Sequence, residues 1–111
     1  MEYSNKKFNI ALKEILVENK VKLRGLANKT KFNFTYFSKL TNRTKQPPVR
    51  TIEVIAKGLN IPPEYFMEYR IHKIADYLLE NPGFIEPVMS YLEILKEKKE
   101  LKVAEPEEPF K

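Results

Sequence analysis

The chain has 111 residues, of which 42% are hydrophobic and 32% are charged, and it contains no cysteine. This length suits one domain with an appendage, and the lack of cysteine excludes a disulfide framework and a thiolate metal site. No apolar run is long enough to span a membrane, and the N-terminus lacks the apolar segment of a secretory signal. A cytoplasmic location with no membrane partner is therefore expected.

The basic residues are concentrated in the N-terminal half. Residues 1–50 contain nine Lys and three Arg against three Glu, a net charge of +9. Residues 51–111 contain eight basic and twelve acidic residues, a net charge of −4, and the two values sum to the +5 of the whole chain. A difference of this size suggests that the N-terminal half meets a polyanion, although a solvated lysine-rich surface would give the same composition.

Two amphipathic helices are predicted in the first thirty residues. Helical spacing of apolar residues predicts the first over residues 8–18. Its apolar stripe consists of Phe8, Leu12, Ile15 and Leu16. A second, shorter helix is predicted over residues 22–30, where Leu23, Leu26 and Ala27 share one face. Gly25 inside this segment costs roughly 1 kcal/mol of helix stability relative to Ala.

The stretch KFNFTYFSKL, residues 31–40, fits two patterns. Phe32, Phe34 and Tyr36 alternate with polar residues, as in a half-buried strand, whereas Phe37 and Leu40 recur at helical spacing. A lone strand among helical segments could not pair its backbone, so the helical interpretation is preferred.

The preferred interpretation is a helix over residues 34–41 with Asn33 as its N-cap. Phe37 and Leu40 would then be buried, and Phe32 would pack just before the helix. The outward-facing residues would be Thr35, Tyr36 and Lys39, with Phe34 near the exposed leading end.

The rest of the chain is also predicted to be helical. A basic loop over residues 42–48 leads to a helix over 49–59, and a further helix is expected from Pro63 to about Leu79. A last helix is predicted over residues 87–101. Residues 102–111 have the composition of a disordered acidic tail.

Four short helices joined by tight connections, the second and third only about three residues apart, form a helix-turn-helix arrangement. The segment "ALKEILVENKVKLRGLANKTKFNFTYFSKLTNRTKQPPVRTIEVIAKGLNIPPEYF" resembles the Cro/phage-repressor-type helix-turn-helix domain of the XRE family. The matches include LKEIL, Ala27 in the second helix and YFSKL in the third. The resemblance implies an all-α fold, with a five-helix DNA-binding domain over residues 1–66 and one or two further helices in an extension over 67–101.

The resemblance also implies which residues contact DNA. The third helix would be the recognition helix, because an α-helix fits the major groove of DNA. Asn33, Phe34, Thr35 and Lys39 fall at the groove-facing positions, and Tyr36 falls at a position that often touches the sugar–phosphate backbone. Phosphate contacts are further implied for four residues: Lys22, Arg43, Thr44 and Lys45.

The sequence departs from the family pattern at several positions. Lys31 stands where the family usually has a glycine in the turn, and a left-handed conformation at Lys costs roughly 1 kcal/mol. A differently shaped turn is therefore expected. Leu23 replaces a Gln that often helps to hold a phosphate, and Thr41 and Arg43 replace an acidic residue and a glycine.

These features predict a DNA-binding transcriptional regulator, a homodimer and most simply a repressor, rather than an enzyme. His72 is the single histidine, and no nucleophile–base pair or metal-ligand spacing is visible, so neither a metal nor a cofactor is expected. The helices after residue 66 could form a dimer interface or pack back on the same domain. The alternative function is an antitoxin or protein-interaction module whose C-terminal helices bind another protein, and RNA binding is a third possibility.

Overall fold

The computed structural model describes residues 2–42 and 46–104, with side chains described up to residue 99. It contains six α-helices, and no strand occurs in these ranges, so the predicted all-α fold is confirmed. The helices are α1 (Phe8–Glu18), α2 (Leu23–Thr30), α3 (Phe34–Asn42), α4 (Val49–Leu59), α5 (Met67–Glu80) and α6 (Ile85–Ala104). Short 3-10 helices at Pro63–Tyr65 and Pro82–Phe84 precede α5 and α6. The chain divides into two compact units, Met1–Ile74 and Ala75–Lys111.

The core of the first unit is built from the apolar stripes that the sequence predicts. All four residues of the predicted apolar stripe of α1 are buried, namely Phe8, Leu12, Ile15 and Leu16. α1 packs against α3, and α2 packs against both α3 and α4. Phe37 of α3 and Ile52 and Ile55 of α4 are fully buried in the same cluster. The helical interpretation of residues 34–41 is therefore confirmed, because it is the helix that turns Phe37 and Leu40 inward together.

The prediction of one continuous helix from Pro63 to Leu79 is wrong for the first turn. Pro63–Tyr65 forms a 3-10 helix, Phe66 is extended at φ −88° and ψ 129°, and α5 begins only at Met67. The break lets two neighbouring aromatic side chains, Tyr65 and Phe66, both enter the core. The ring of Phe66 lies 4.6 Å from the ring of Phe8, centroid to centroid.

The first unit extends past residue 66 because the start of α5 holds the N-terminal segment. The buried carboxylate of Glu68 accepts a hydrogen bond at 2.9 Å from the backbone N–H of Phe8, the first residue of α1. A carboxylate at this point also interacts favourably with the positive end of the helix dipole. The guanidinium of Arg70 donates to the carbonyl of Ser4 and to Oδ1 of Asn5. These contacts account for the inclusion of the start of α5 in the compact unit that ends at Ile74.

The second unit contains the end of α5, the 3-10 turn and α6. The rings of Tyr77 and Phe84 stack at 5.8 Å with an interplanar angle of 6°. α6 runs to Ala104, so the first three residues of the predicted tail are helical, while residues 105–111 lie outside the described part. Within the described ranges, no helix is long and apolar enough to cross a bilayer.

A close approach between α2 and α4 occurs at Gly58. A Cβ built at Gly58 would lie 2.9 Å from Cγ2 of Thr30 and 3.1 Å from Cδ1 of Leu26. A Cβ at Gly25 would meet no atom within 4 Å. Both glycines lie in helices, but only Gly58 is required for close packing. Gly25 therefore serves as a control for substitutions at Gly58.

We expect Gly58→Ala to lower the free energy of unfolding by about 1–3 kcal/mol, because the added methyl overlaps a buried side chain. Gly25→Ala should raise it by about 0.4–1 kcal/mol, because Ala restricts the unfolded chain without a clash. Urea unfolding followed by circular dichroism measures both values. Equal stabilisation by the two substitutions would show that α2 and α4 are not closely packed at Gly58.

Candidate nucleic-acid interface

The turn between α2 and α3 is closed by Thr30 and Lys31. The hydroxyl of Thr30 donates to the carbonyl of Leu26 at 3.0 Å, and its oxygen accepts from the N–H of Phe32 at 3.4 Å. Lys31 adopts the left-handed conformation, with φ 69° and ψ 8°, and its N–H donates to the carbonyl of Ala27. The expectation of a differently shaped turn is therefore wrong. The turn has the left-handed geometry that glycine favours. Because the residue is a lysine, this conformation costs roughly 1 kcal/mol.

Asn33 begins α3 as the sequence predicts. Its side-chain oxygen accepts a hydrogen bond at 2.8 Å from the backbone N–H of Tyr36, three residues on, which is the geometry of an N-cap. This bond satisfies one of the N–H groups that every helix leaves unpaired at its first turn. Asn33 is nevertheless exposed at the leading end of α3.

The outward face of α3 carries a mixed set of side chains. Phe34, Thr35 and Lys39 are all exposed, and Thr35 and Lys39 are one helical turn apart. They offer an aromatic ring, a hydroxyl with a methyl group, and an ammonium. This face can therefore donate hydrogen bonds and make apolar contacts, and both are needed to read base edges in the major groove.

Tyr36 is only half-buried, rather than fully outward-facing as the sequence suggested. Its ring contacts Phe32 edge-on at 5.2 Å and lies 6.2 Å from Phe37. Its hydroxyl lies 3.5 Å from Oγ1 of Thr51 at the start of α4, the outer limit for a hydrogen bond. Tyr36 thus links α3 to α4 and leaves only part of its side chain accessible.

Arg24 is a feature of this surface that the sequence analysis missed. Its guanidinium carbon lies 4.3 Å from the centroid of the Phe34 ring, within the range of a cation–π interaction. Both side chains are exposed. The pair brings a positive charge from the first turn of α2 to the leading end of α3. No periodicity could have revealed it, because the two residues are ten positions apart on different helices.

Positive charge dominates the segment from the end of α1 to the start of α4. Residues 19–52 contain nine Lys or Arg and no Asp or Glu. Lys22 is exposed and directly precedes α2, whose N-terminus has no side-chain cap. Helix N-termini of this kind attract anions through their free N–H groups and the helix dipole. Arg43, Thr44 and Lys45, the predicted phosphate-contacting loop, lie outside the described residues.

The described residues contain no group of three or more His, Cys, Asp or Glu side chains that could hold a metal ion. The candidate interface combines the exposed face of α3, the N-terminus of α2 and a basic surface. Such an arrangement suits binding to a phosphate backbone and to the edges of bases.

The comparisons with known proteins found relatives only among solved structures. No protein-family profile and no curated protein matches the chain. The chain is similar to the wild-type restriction-modification controller protein C.Esp1396I, with 27% sequence identity and a TM-score of 0.51 over 63% of this chain and 91% of that one. It is also similar to C.Esp1396I in a structure of its nucleoprotein complex, with 28% identity and a TM-score of 0.51 over 61% of this chain and 88% of that one. The likeness supports the helical fold that the family resemblance implies.

The Asn33 cap gives a prediction for stability. Asn33→Ala should lower the free energy of unfolding by about 0.5–2 kcal/mol, because an N–H in the first turn of α3 loses its acceptor. Asn33→Asp keeps an acceptor oxygen and should remain close to the wild type. Thermal unfolding of the three proteins in parallel makes the comparison. If Asn33→Ala and Asn33→Asp unfolded at one temperature, the side chain would not act as the cap.

Proposed function

We propose that this chain is a sequence-specific double-stranded DNA-binding transcriptional regulator that inserts α3 into the major groove. The observation that carries the proposal is the exposed face of α3, set in a turn-linked helix pair within a segment that has no acidic residue. The likeness to C.Esp1396I, a controller protein with a nucleoprotein complex, supports the same conclusion. Such a role would place the protein in the cytoplasm.

The exposed face of α3 would read the bases. Lys39 can donate to O6 and N7 of guanine, and the amide of Asn33 can donate to adenine N7 while its oxygen caps the helix. The Thr35 methyl or the Phe34 ring can contact a thymine methyl group. Arg24, held over Phe34, adds a charged donor at the leading end of this face.

Phosphate contacts would fix the orientation of the domain without carrying sequence information. Lys22 and the N–H groups at the start of α2 suit one phosphate. The loop residues Arg43, Thr44 and Lys45 would lie along the backbone, and the accessible part of Tyr36 could reach it. Residues 1–66 would thus supply the DNA-binding domain.

The regulator would act as a homodimeric repressor, with residues 67–101 forming the interface between two copies. Two recognition helices in successive major grooves, about 34 Å apart, would match an inverted-repeat operator. Repression would follow from occupancy of that operator. In the alternative proposal, the exposed apolar side chains of α5, among them Ile71 and Ile74 at 58% exposure each, bind another protein, as in an antitoxin.

The DNA-binding proposal is tested by fluorescence anisotropy of a labelled random duplex titrated with the protein between about 50 and 200 mM salt. We expect a log–log slope of the binding constant near −4 or steeper, equivalent to roughly four or more neutralised phosphates. No binding at the lowest salt would contradict the proposal and would favour the protein-interaction alternative. A hairpin RNA titrated in parallel separates duplex DNA binding from RNA binding.

Base reading is tested once an operator has been selected from random DNA. Lys39→Ala should lose about 1–3 kcal/mol on the operator and much less on random DNA, because one base position is no longer read. Lys57→Ala removes an exposed lysine from the last turn of α4 and serves as the charge-matched control. If Lys39→Ala lost the same binding free energy on the operator and on random DNA, Lys39 would contact phosphate rather than a base.

A further inference from the structure

Three cation–π pairs occur among the described residues, and one of them lies on the candidate DNA-binding face. In the other two, the cation also binds further groups of the protein: Arg70 donates hydrogen bonds to the N-terminal segment, and Lys73 forms an ion pair with Glu64 at 3.0 Å. Arg24 has the shortest ring distance of the three, 4.3 Å to the centroid of Phe34. No described residue accepts a hydrogen bond from its guanidinium.

The surroundings of this pair leave the Arg24 guanidinium to a ligand outside the chain. Residues 19–52 contain no Asp or Glu that could compete for it. Arg24 is exposed, and Phe34 is 37% exposed. A guanidinium can contact an aromatic ring and still present its N–H donors as a planar fork, which a lysine ammonium cannot do. The ring therefore restricts the position of the side chain without using its hydrogen-bonding capacity.

Phe34 places this fork at the leading end of α3. In helix-turn-helix domains, the recognition helix contacts base edges mainly with its N-terminal residues, while the preceding helix crosses the DNA backbone. An arginine in the first turn of α2 could therefore reach a phosphate if its side chain were free. The contact with Phe34 instead holds it beside the first residue of α3, where base edges are expected.

We propose that Arg24 is a specificity-determining residue that donates to O6 and N7 of a guanine, and that Phe34 is the positioning residue that holds it there. Guanine is the base whose two adjacent major-groove acceptors match the guanidinium fork. Lys39 lies five positions beyond Phe34, about 7.5 Å along the helix axis, so the two cations would contact different base pairs. The inference rests on the proposed function and adds a base contact that comes from α2.

The contribution of Phe34 would be one of preorganisation. A long side chain loses rotamer freedom when it is fixed against a base, and this loss weakens binding. A ring contact that already restricts Arg24 in the free protein reduces the loss on binding. Phe34 would therefore increase the affinity for the operator without touching the guanine itself.

The guanine contact is tested with the full chain and an operator selected from random DNA, in which 7-deazaguanine replaces the guanines one at a time. This analogue keeps its base pairing and lacks the N7 acceptor. At one position it should weaken the wild type by about tenfold, whereas Arg24→Ala should bind the natural and substituted operators equally. Lys39→Ala should remain sensitive at that position, because it is expected to contact a different base pair.

The positioning role of Phe34 is tested by a double-mutant cycle. Phe34→Leu keeps an apolar side chain without a ring and should weaken operator binding by about threefold, and Phe34→Tyr should restore it. In an Arg24→Ala background, Phe34→Leu should cause no further loss, because its effect passes through Arg24. The same loss in both backgrounds would show that Phe34 contacts DNA directly and would contradict the positioning role.

Arg50→Ala is the matched control for Arg24→Ala. Arg50 is exposed and is the second residue of α4, as Arg24 is the second residue of α2, and it has no aromatic partner among the described residues. Any loss of affinity that it causes should be the same on the operator and on a random duplex. Arg24→Ala should weaken the operator by about tenfold and the random duplex by less than about twofold. Circular dichroism should show the wild-type helix content for every variant.

Two results would overturn the assignment of Arg24 while leaving the proposed function intact. One is an equal loss for Arg24→Ala on the operator and the random duplex with a salt slope reduced by about one, which would place Arg24 on a phosphate. The other is no loss on either DNA, which would make the pair a contact within the protein surface only. In both cases the wild type still binds its operator. A wild type that binds no duplex at the lowest salt would instead contradict the proposed function and, with it, this inference.

Discussion

The position of α3 depends on how Thr30 closes the end of α2. Its hydroxyl bridges the last turn of α2 and the N–H of Phe32, and its methyl group faces Gly58 of α4, where no Cβ could fit without movement. One buried side chain therefore sets the turn and the approach of α2 to α4. Because α3 leaves from this turn with Phe37 locked in the core, its exposed face has little freedom to rotate.

The same geometry explains why a lysine is tolerated at a left-handed position. The strain at Lys31 amounts to roughly 1 kcal/mol, which is comparable to one net hydrogen bond, and its N–H closes α2 by donating to Ala27. A glycine would remove the strain but would also remove a charge from a segment without acidic residues. For a surface that meets a polyanion, a strained lysine contributes to the long-range field in a way that an unstrained glycine cannot.

Local periodicity predicted the helices well and their tertiary contacts poorly. The apolar spacing gave the observed bounds of α1 and α4, and Asn33 was recognised as a cap because that role needs only its own neighbourhood. The break at Phe66 was missed because it arises from the packing of Tyr65 and Phe66 in the core of the folded chain, which local periodicity does not report. The Arg24–Phe34 contact and the bond from Phe8 to Glu68 join residues far apart in sequence, and only the folded chain brings them together.

Dimerisation and DNA reading would be linked by mass action even though they use different parts of the chain. A single α3 offers only a few base contacts, each worth about 1–3 kcal/mol, so one domain alone would discriminate weakly between sequences. When two domains are joined in a dimer, binding of the second half-site becomes intramolecular. The affinity for the whole operator then rises without any new contact residue. Operator occupancy would then depend on the dissociation constant of the dimer as well as on the groove contacts. A change at the proposed dimer interface in residues 67–101 would alter the protein concentration at which the operator fills.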